Sequence, residues 1–375
     1  MQGDLRQTLF PRYCGVNLDG MFCTDDSIYS VRNSPACRAR RGCFLEKDFI
    51  EAADLGFDFV RLPLSYRLFS SDRDRFLLDD GKLEHLDRAV EWGRRHHLHV
   101  DINFHRAPGY CVNADVPDDP ILLYRDDEAL EYFVKAWEKL ASRYRGIPND
   151  QVSFDLLNEP SPSRFSLDRY VQVMKAAIAA IHRIDPQRFI MIDGWDWGDT
   201  PIEELAGIPL VGQSMRGYHP RELTHYPNFY EDKGTPAAWP CIDRNGRLFD
   251  YGRLESYVRG WAEFSVRTGT PVHCGECGAW VKAPHDLVIK WADDFLGLLK
   301  KYNIGWAWWT MHGDFGICRG NDTRPDPELV EVMRRNGAGE RHGNAGAASA
   351  AAGKVVRQGH NMKCGCNYWA SNAGT

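Results

Sequence analysis

The chain is 375 residues long, 43% hydrophobic and 12% aromatic, with a formal net charge of -6 and a pI near 6.1. That length and apolar content can bury a large core, either as one α/β barrel with insertions or as two smaller domains. The acidic balance leaves no basic footprint for nucleic acid, and no apolar run approaches the roughly 20 residues that span a bilayer, so a soluble protein with an uncharged partner is expected.

The opening residues, Met1 to Arg6, hold no basic region followed by an apolar stretch, which points to a cytoplasmic protein or to one whose leader has been removed. Further along, short apolar runs predict strands at about 13–18, 57–63, 99–104, 152–157, 189–193, 210–216, 271–275 and 304–309. Between them lie segments of helical period, notably Glu128 to Tyr144, Asp168 to Ile184 and Pro284 to Tyr302, whose apolar stripes read as packing faces. Strands alternating with helices define an α/β fold, a (β/α)8 TIM barrel, over 1–336. From about Asn336 the composition turns to Gly and Ala, so 337–375 is expected to be a tail unable to order itself as a domain.

The long connections all follow predicted strand C-termini, the face where such barrels carry their active sites. They are Gly20 to Cys43, Arg106 to Arg125 and Arg221 to Tyr251. The last holds Tyr226, Phe229, Tyr230 and Trp239, a set of rings that could form a wall for the flat apolar face of a sugar, or pack on themselves. Cysteine usage favours reduced thiols: the count of eleven is odd, and Cys14, Cys274 and Cys277 fall in strand-like runs. Cys37 and Cys43 flank a basic loop and are a possible pair in an oxidising compartment. Cys274-x-x-Cys277 is not read as a metal site, because in an extended strand the two thiols point to opposite faces.

Two strand ends carry the chemistry. Val152-Ser153-Phe154-Asp155-Leu156-Leu157-Asn158-Glu159-Pro160 is an apolar run that ends in an amide and a carboxylate. Pro271-Val272-His273-Cys274-Gly275-Glu276-Cys277-Gly278 repeats the design, with glycines that permit close approach of a ligand. Paired carboxylates at strand ends suit glycosidic bond cleavage, in which one carboxyl protonates the leaving oxygen and the other attacks the sugar.

With Arg61-Leu62-Pro63 closing the second strand, His105 the third and Trp309 the eighth, residues 10–335 resemble family 5 of the glycoside hydrolases, retaining barrel enzymes with catalytic glutamates at the ends of strands four and seven. The resemblance implies that Glu159 is the acid/base and Glu276 the nucleophile. Glu159 then needs a raised pKa, while Arg61 keeps Glu276 ionised and oriented. Asn158 is expected at the sugar 2-hydroxyl, or else as a cap for the following turn. His105 faces the site, and Trp309 offers a stacking ring, with Trp306 and Trp308 in the core or at its flank. Trp195 and Trp197 suit subsite and packing roles equally.

The sixth strand departs from the family, which commonly has His-x-Tyr there; this chain has Arg216-Gly217-Tyr218-His219-Pro220. Tyr218 in the family position would steady Glu276, leaving Arg216 or His219 to contact substrate. No metal or cofactor is implied, and the partner is a β-linked oligo- or polysaccharide. The expected activity is that of a cellulase-like endo-β-1,4-glucanase. Alternatives are an exo-acting β-glucosidase, or a hydrolase of mannan, xyloglucan or β-1,3-glucan. From another class comes a catalytically weak carbohydrate-binding barrel, which the altered sixth strand favours and the presence of both glutamates opposes. A Schiff-base aldolase would need a lysine at a strand end, and none is present.

Overall fold

The computed structural model describes residues 10–18, 20, 44–113, 119–227, 236–318 and 324–340. Eight parallel strands are present: β1 (Cys14–Asn17), β2 (Phe59–Ser65), β3 (His99–Ala107), β4 (Val152–Asp155), β5 (Ile190–Asp193), β6 (Val211–Gly217), β7 (Val272–Cys277) and β8 (Gly305–Trp308). Their order is β2-β1-β8-β7-β6-β5-β4-β3, and β3 pairs back onto β2, so the sheet closes into a (β/α)8 barrel. Among the described residues, seven helices of at least nine residues clothe it: α1 (Glu46–Asp54), α2 (Asp80–Arg95), α3 (Asp127–Arg143), α4 (Leu167–Ile184), α5 (Tyr251–Thr268), α6 (His285–Lys301) and α7 (Pro327–Arg335). Between β5 and β6 the chain makes only short turns, with a 3-10 turn at Glu203–Leu205, where a crossover helix would otherwise stand.

The helices begin where side-chain oxygens can satisfy the first backbone donors. Asp79 accepts from Lys82 N at 3.0 Å before α2, Ser166 from Arg169 N at 3.2 Å before α4, and Asp250 from Arg253 N at 3.0 Å before α5. Helix α5 stops at Gly269, whose φ of +70° is left-handed, and α7 starts with Pro327 behind the Asp326 cap. Each helix then lays its apolar stripe on the barrel. Trp137 of α3 is fully buried, its ring 4.8 Å from Phe104 and 5.2 Å from Phe154 on neighbouring strands. Aromatic pairs of this kind add about 0.5–1.5 kcal/mol beyond the area they bury.

At the strand N-termini the barrel is plugged by rings. Phe10, Tyr13, Phe59, Phe189 and Met191 form a separate apolar cluster around His99 and His273, with Tyr13 and Phe59 stacked on the His99 ring. Burial holds both imidazoles neutral, with pKa values pushed down to about 3. That end is packed core, which leaves the C-terminal mouth for chemistry. Gly337 to Glu340, which composition assigns to the tail, stay on the barrel: Gly339 N donates to Gly56 O at 2.6 Å and Arg12 pairs with Glu340 at 2.7 Å. Residues 341–375, most of Gly20 to Cys43, and the rings of Phe229 and Tyr230 lie outside the described residues. Among the described residues no helix is long and apolar enough to cross a membrane.

Candidate active site

The two glutamates selected from sequence meet at the C-terminal mouth. Glu276 is buried, 3% exposed, inside β7 next to a register shift against β6 between Cys274 and Glu276. Its Oε1 accepts from Arg61 Nη1 at 2.6 Å, and its Oε2 from the Tyr218 hydroxyl at 2.9 Å. Glu159 follows β4 with a φ of +48°, a left-handed conformation for a residue with a side chain. That turn is tied down by three bonds. Glu159 N donates to Asp193 Oδ2 at 2.7 Å, the Tyr110 hydroxyl donates to Glu159 O at 2.6 Å, and Asn158 N donates to Phe104 O at 3.1 Å.

Arg216 lies between the carboxylates. Its Nε donates to Glu159 Oε1 at 3.0 Å and its Nη2 is 3.5 Å from Glu276 Oε1, while the same Nη2 also donates to Asp193. It is 1% exposed, so it braces the two carboxylates from behind and does not face a substrate. Arg61, also fully buried, forks across Asp155 at 2.7 Å, Asn17 at 3.1 Å and Asn158 at 3.0 Å in addition to Glu276. Asn158 is no turn cap: its Oδ1 accepts from both arginines, which fixes the amide with Nδ2 toward His105 Nε2 at 3.3 Å. With Nε2 of His105 an acceptor, the ring proton sits on Nδ1, which faces Glu276 Oε1 at 3.9 Å. Burial, reinforced by Arg61 and Arg216, holds His105 neutral with its pKa well below the ordinary value.

Around these two guanidinium groups stand five carboxyls: Asp101, Asp155, Glu159, Asp193 and Glu276. Two positive charges cannot balance five negative ones in a dry cavity, so protons make up part of the difference. Burial first, and then the charge of Glu276, pushes Glu159 up to about 7 against the pull of Arg216. Burial likewise raises Asp155 to about 8 and Asp101 to about 6. Trp309 stacks on the His105 ring at 5.1 Å and keeps part of its surface open at the mouth.

Some expectations need correction. His219 turns away from the carboxylates, pairing with Asp199 Oδ1 at 3.0 Å and stacking on Phe249, because Pro220 and the following turn carry the chain outward. Trp239 is no substrate wall: it is 5% exposed, packs on Phe249 and donates Nε1 to Asp294 at 2.7 Å, having found an apolar niche behind a small hairpin (Cys241–Ile242 with Leu248–Phe249). Trp306 and Trp308 are core. Cys274 and Cys277 do not face opposite ways, since the register shift between them makes their thiols neighbours; both are free and buried. The sequence reading gave no role to Asn17, Tyr110, Asp155 and Asp193. Asp155 and Asp193 could have been found, as lone carboxylates inside or closing apolar strands.

A closed barrel with an arginine-braced pair of glutamates at its C-terminal mouth, one protonated near neutrality, defines a glycosidase of the retaining barrel type. The chain belongs to glycoside hydrolase family 5: residues 40–314 match the profile of Cellulase (glycosyl hydrolase family 5). It is 28% identical over 319 residues to Endoglucanase C of Acetivibrio thermocellus, covering 77% of this chain and 90% of that protein, and 26% identical to Cellodextrinase A of Ruminococcus flavefaciens, covering 77% and 82%. A crystal structure of a glycoside hydrolase superposes with a TM-score of 0.76 at 30% identity, covering 87% of this chain and 99% of that one. The protein is an O-glycosyl hydrolase of β-linked glycans.

Proposed function

We propose that the enzyme is an endo-acting β-1,4-glucanase in which Glu159 is the acid/base and Glu276 the nucleophile of a double displacement. The observation that carries the assignment is the unequal environment of the two carboxylates. Glu276 accepts from Arg61 and Tyr218, which fix the attacking oxygen, whereas Glu159 has one arginine contact and a pKa of about 7. In the first step Glu159 protonates the leaving oxygen while Glu276 bonds to the anomeric carbon. Esterification removes the charge of Glu276, so Glu159, now ionised, can take a proton from the water that releases the sugar. Asn158 has an amide hydrogen left for the 2-hydroxyl once His105 is satisfied, and Trp309 offers its ring to the sugar at the point of cleavage. The names of the relatives support a glucan with β-1,4 links.

The test is reducing-sugar release from soluble β-glucans, mannan, xyloglucan and short aryl glycosides by wild type, Glu276→Ala and Glu159→Ala. Cleavage of β-1,4-glucan polymer by wild type and its loss in both variants are expected. Activity on short glycosides alone would replace the endo assignment with an exo one, and unchanged activity in Glu276→Ala would remove the mechanism.

A further inference from the structure

Behind the Trp309 platform lies a second group of chemically active side chains that takes no part in this mechanism. The segment after β8 folds back on itself: Thr310 N donates to Phe315 O, Ile317 N to Thr310 O at 2.9 Å, and Cys318 N to Met311 O at 3.1 Å. Met311 N in turn donates to Asn17 O at 3.2 Å, which ties the loop to the end of β1. This short ladder sets His312 beside Cys318, and α1 brings Glu51 against both. One ligand atom from each of Glu51, His312 and Cys318 lies within 4.8 Å of the other two.

The burial of His312 makes the cluster more than a coincidence of residue types. The residue is 5% exposed, and among the described residues neither ring nitrogen has a hydrogen-bond partner. Its Nε2 faces Glu51 Oε2 at 3.5 Å without making such a bond. A buried imidazole with both nitrogens unsatisfied is a costly arrangement, which a ligand at a ring nitrogen would relieve.

We propose that Glu51, His312 and Cys318 form a binding site for a borderline-soft divalent cation, of which Zn2+ is the best match. The donors are one imidazole, one thiolate and one carboxylate, the set that suits zinc and excludes magnesium and calcium. Tetrahedral bonds of about 2.0–2.3 Å hold ligand atoms roughly 3.3–3.6 Å apart. The Glu51 to His312 distance of 3.5 Å already meets that, and the remaining separations, none above 4.8 Å, need a closure of at most about 1 Å, within the reach of side-chain rotation. Glu51 is 26% exposed, so the cluster reaches the surface through its carboxylate. On binding, the Cys318 thiol releases its proton to solvent and sulfur bonds to the metal; no electron transfer is involved. The role is structural. The metal would clamp the loop carrying Trp309 to α1, outside the reacting centre, so turnover does not require it.

The test uses the full-length protein, stripped with chelator and titrated with Co2+ and then Zn2+. Wild type is expected to bind one equivalent of Co2+ with a thiolate-to-cobalt charge-transfer absorption that Zn2+ abolishes, and to melt at higher temperature with Zn2+. Cys318→Ser and His312→Ala are expected to lose the absorption and to weaken Zn2+ by more than about 100-fold, beyond the loss typical of an outer-shell partner. Glu51→Gln, a half-buried change compatible with folding, is expected to keep the thiolate absorption with weakened affinity. Absence of the absorption in folded wild type, or its survival in Cys318→Ser, would overturn the site.

Discussion

Arg216 stands where the sixth strand departs from the expected His-x-Tyr pattern, and it holds the proposed acid/base. A guanidinium in contact with Glu159 opposes the upward pressure of burial and of Glu276, so the value of about 7 is a balance. Removing the cation shifts that balance in one direction. Arg216→Gln is expected to move the alkaline limb of the pH profile of kcat/KM to higher pH, because Glu159 then holds its proton longer, while stability falls by about 3–5 kcal/mol as Asp193 loses its buried partner. A limb that stayed in place would mean that Arg216 does not set the acid/base. Tyr218 acts on the other carboxylate through one hydrogen bond to Glu276. A bond to a charged group contributes about 1.5–3 kcal/mol, so Tyr218→Phe is expected to lower kcat about 10- to 150-fold with little change in melting temperature. Equal losses in stability and rate would mark the tyrosine as packing.

At the level of elements, much was readable because periodicity and strand-end chemistry are both local signals. The eight apolar runs and the three named helical segments all appear within a few residues of their predicted bounds. What escaped were features that depend on how strands slide past one another. The register shift in β7 aligns Cys274 with Cys277 and turns Glu276 inward, and no single-strand alternation rule contains it. The carboxylates of Asp155 and Asp193 are visible in their apolar strands, but their pairing with Arg61 and Arg216 depends on which strands stand side by side. Trp239 was misplaced because aromatic density describes a loop's composition and not which side it buries. The shift also makes Gly275 a place of close approach, since a Cβ there would stand 2.4 Å from Ser214 Oγ and 3.3 Å from Arg216 Nη1. Gly275→Ala is therefore expected to displace Arg216, costing about 1–3 kcal/mol of stability and a larger share of kcat than of substrate binding. A variant with wild-type kcat would show that β6 can yield without disturbing the arginine.

For the whole molecule, the protons stored in the barrel govern stability against pH. Asp101, Glu159 and Asp155 keep protons to about 6, 7 and 8, well above their values in an unfolded chain, so each makes the fold less stable as pH rises to its folded pKa. His99, His105, His225 and His273 work the other way, since the unfolded chain binds their protons below about pH 6.5 and the fold does not. The two sets oppose each other between about pH 4.5 and 6.5 and leave the carboxyls alone above that. Melting temperature is expected to be nearly level across the lower range and to fall from about pH 6.5 to 8. Glu159→Gln should flatten that fall, and an unaltered slope would deny Glu159 its part in it.

The left-handed backbone at Glu159 gives the same residue a second meaning. A side chain in that conformation costs roughly 1–2 kcal/mol, and glycine is free of the cost. Glu159→Gly should therefore outlast Glu159→Ala on heating, although both lack the carboxyl. A scaffold selected for durability alone would place glycine at this turn, and the strained glutamate records what the molecule forgoes in order to cut its substrate.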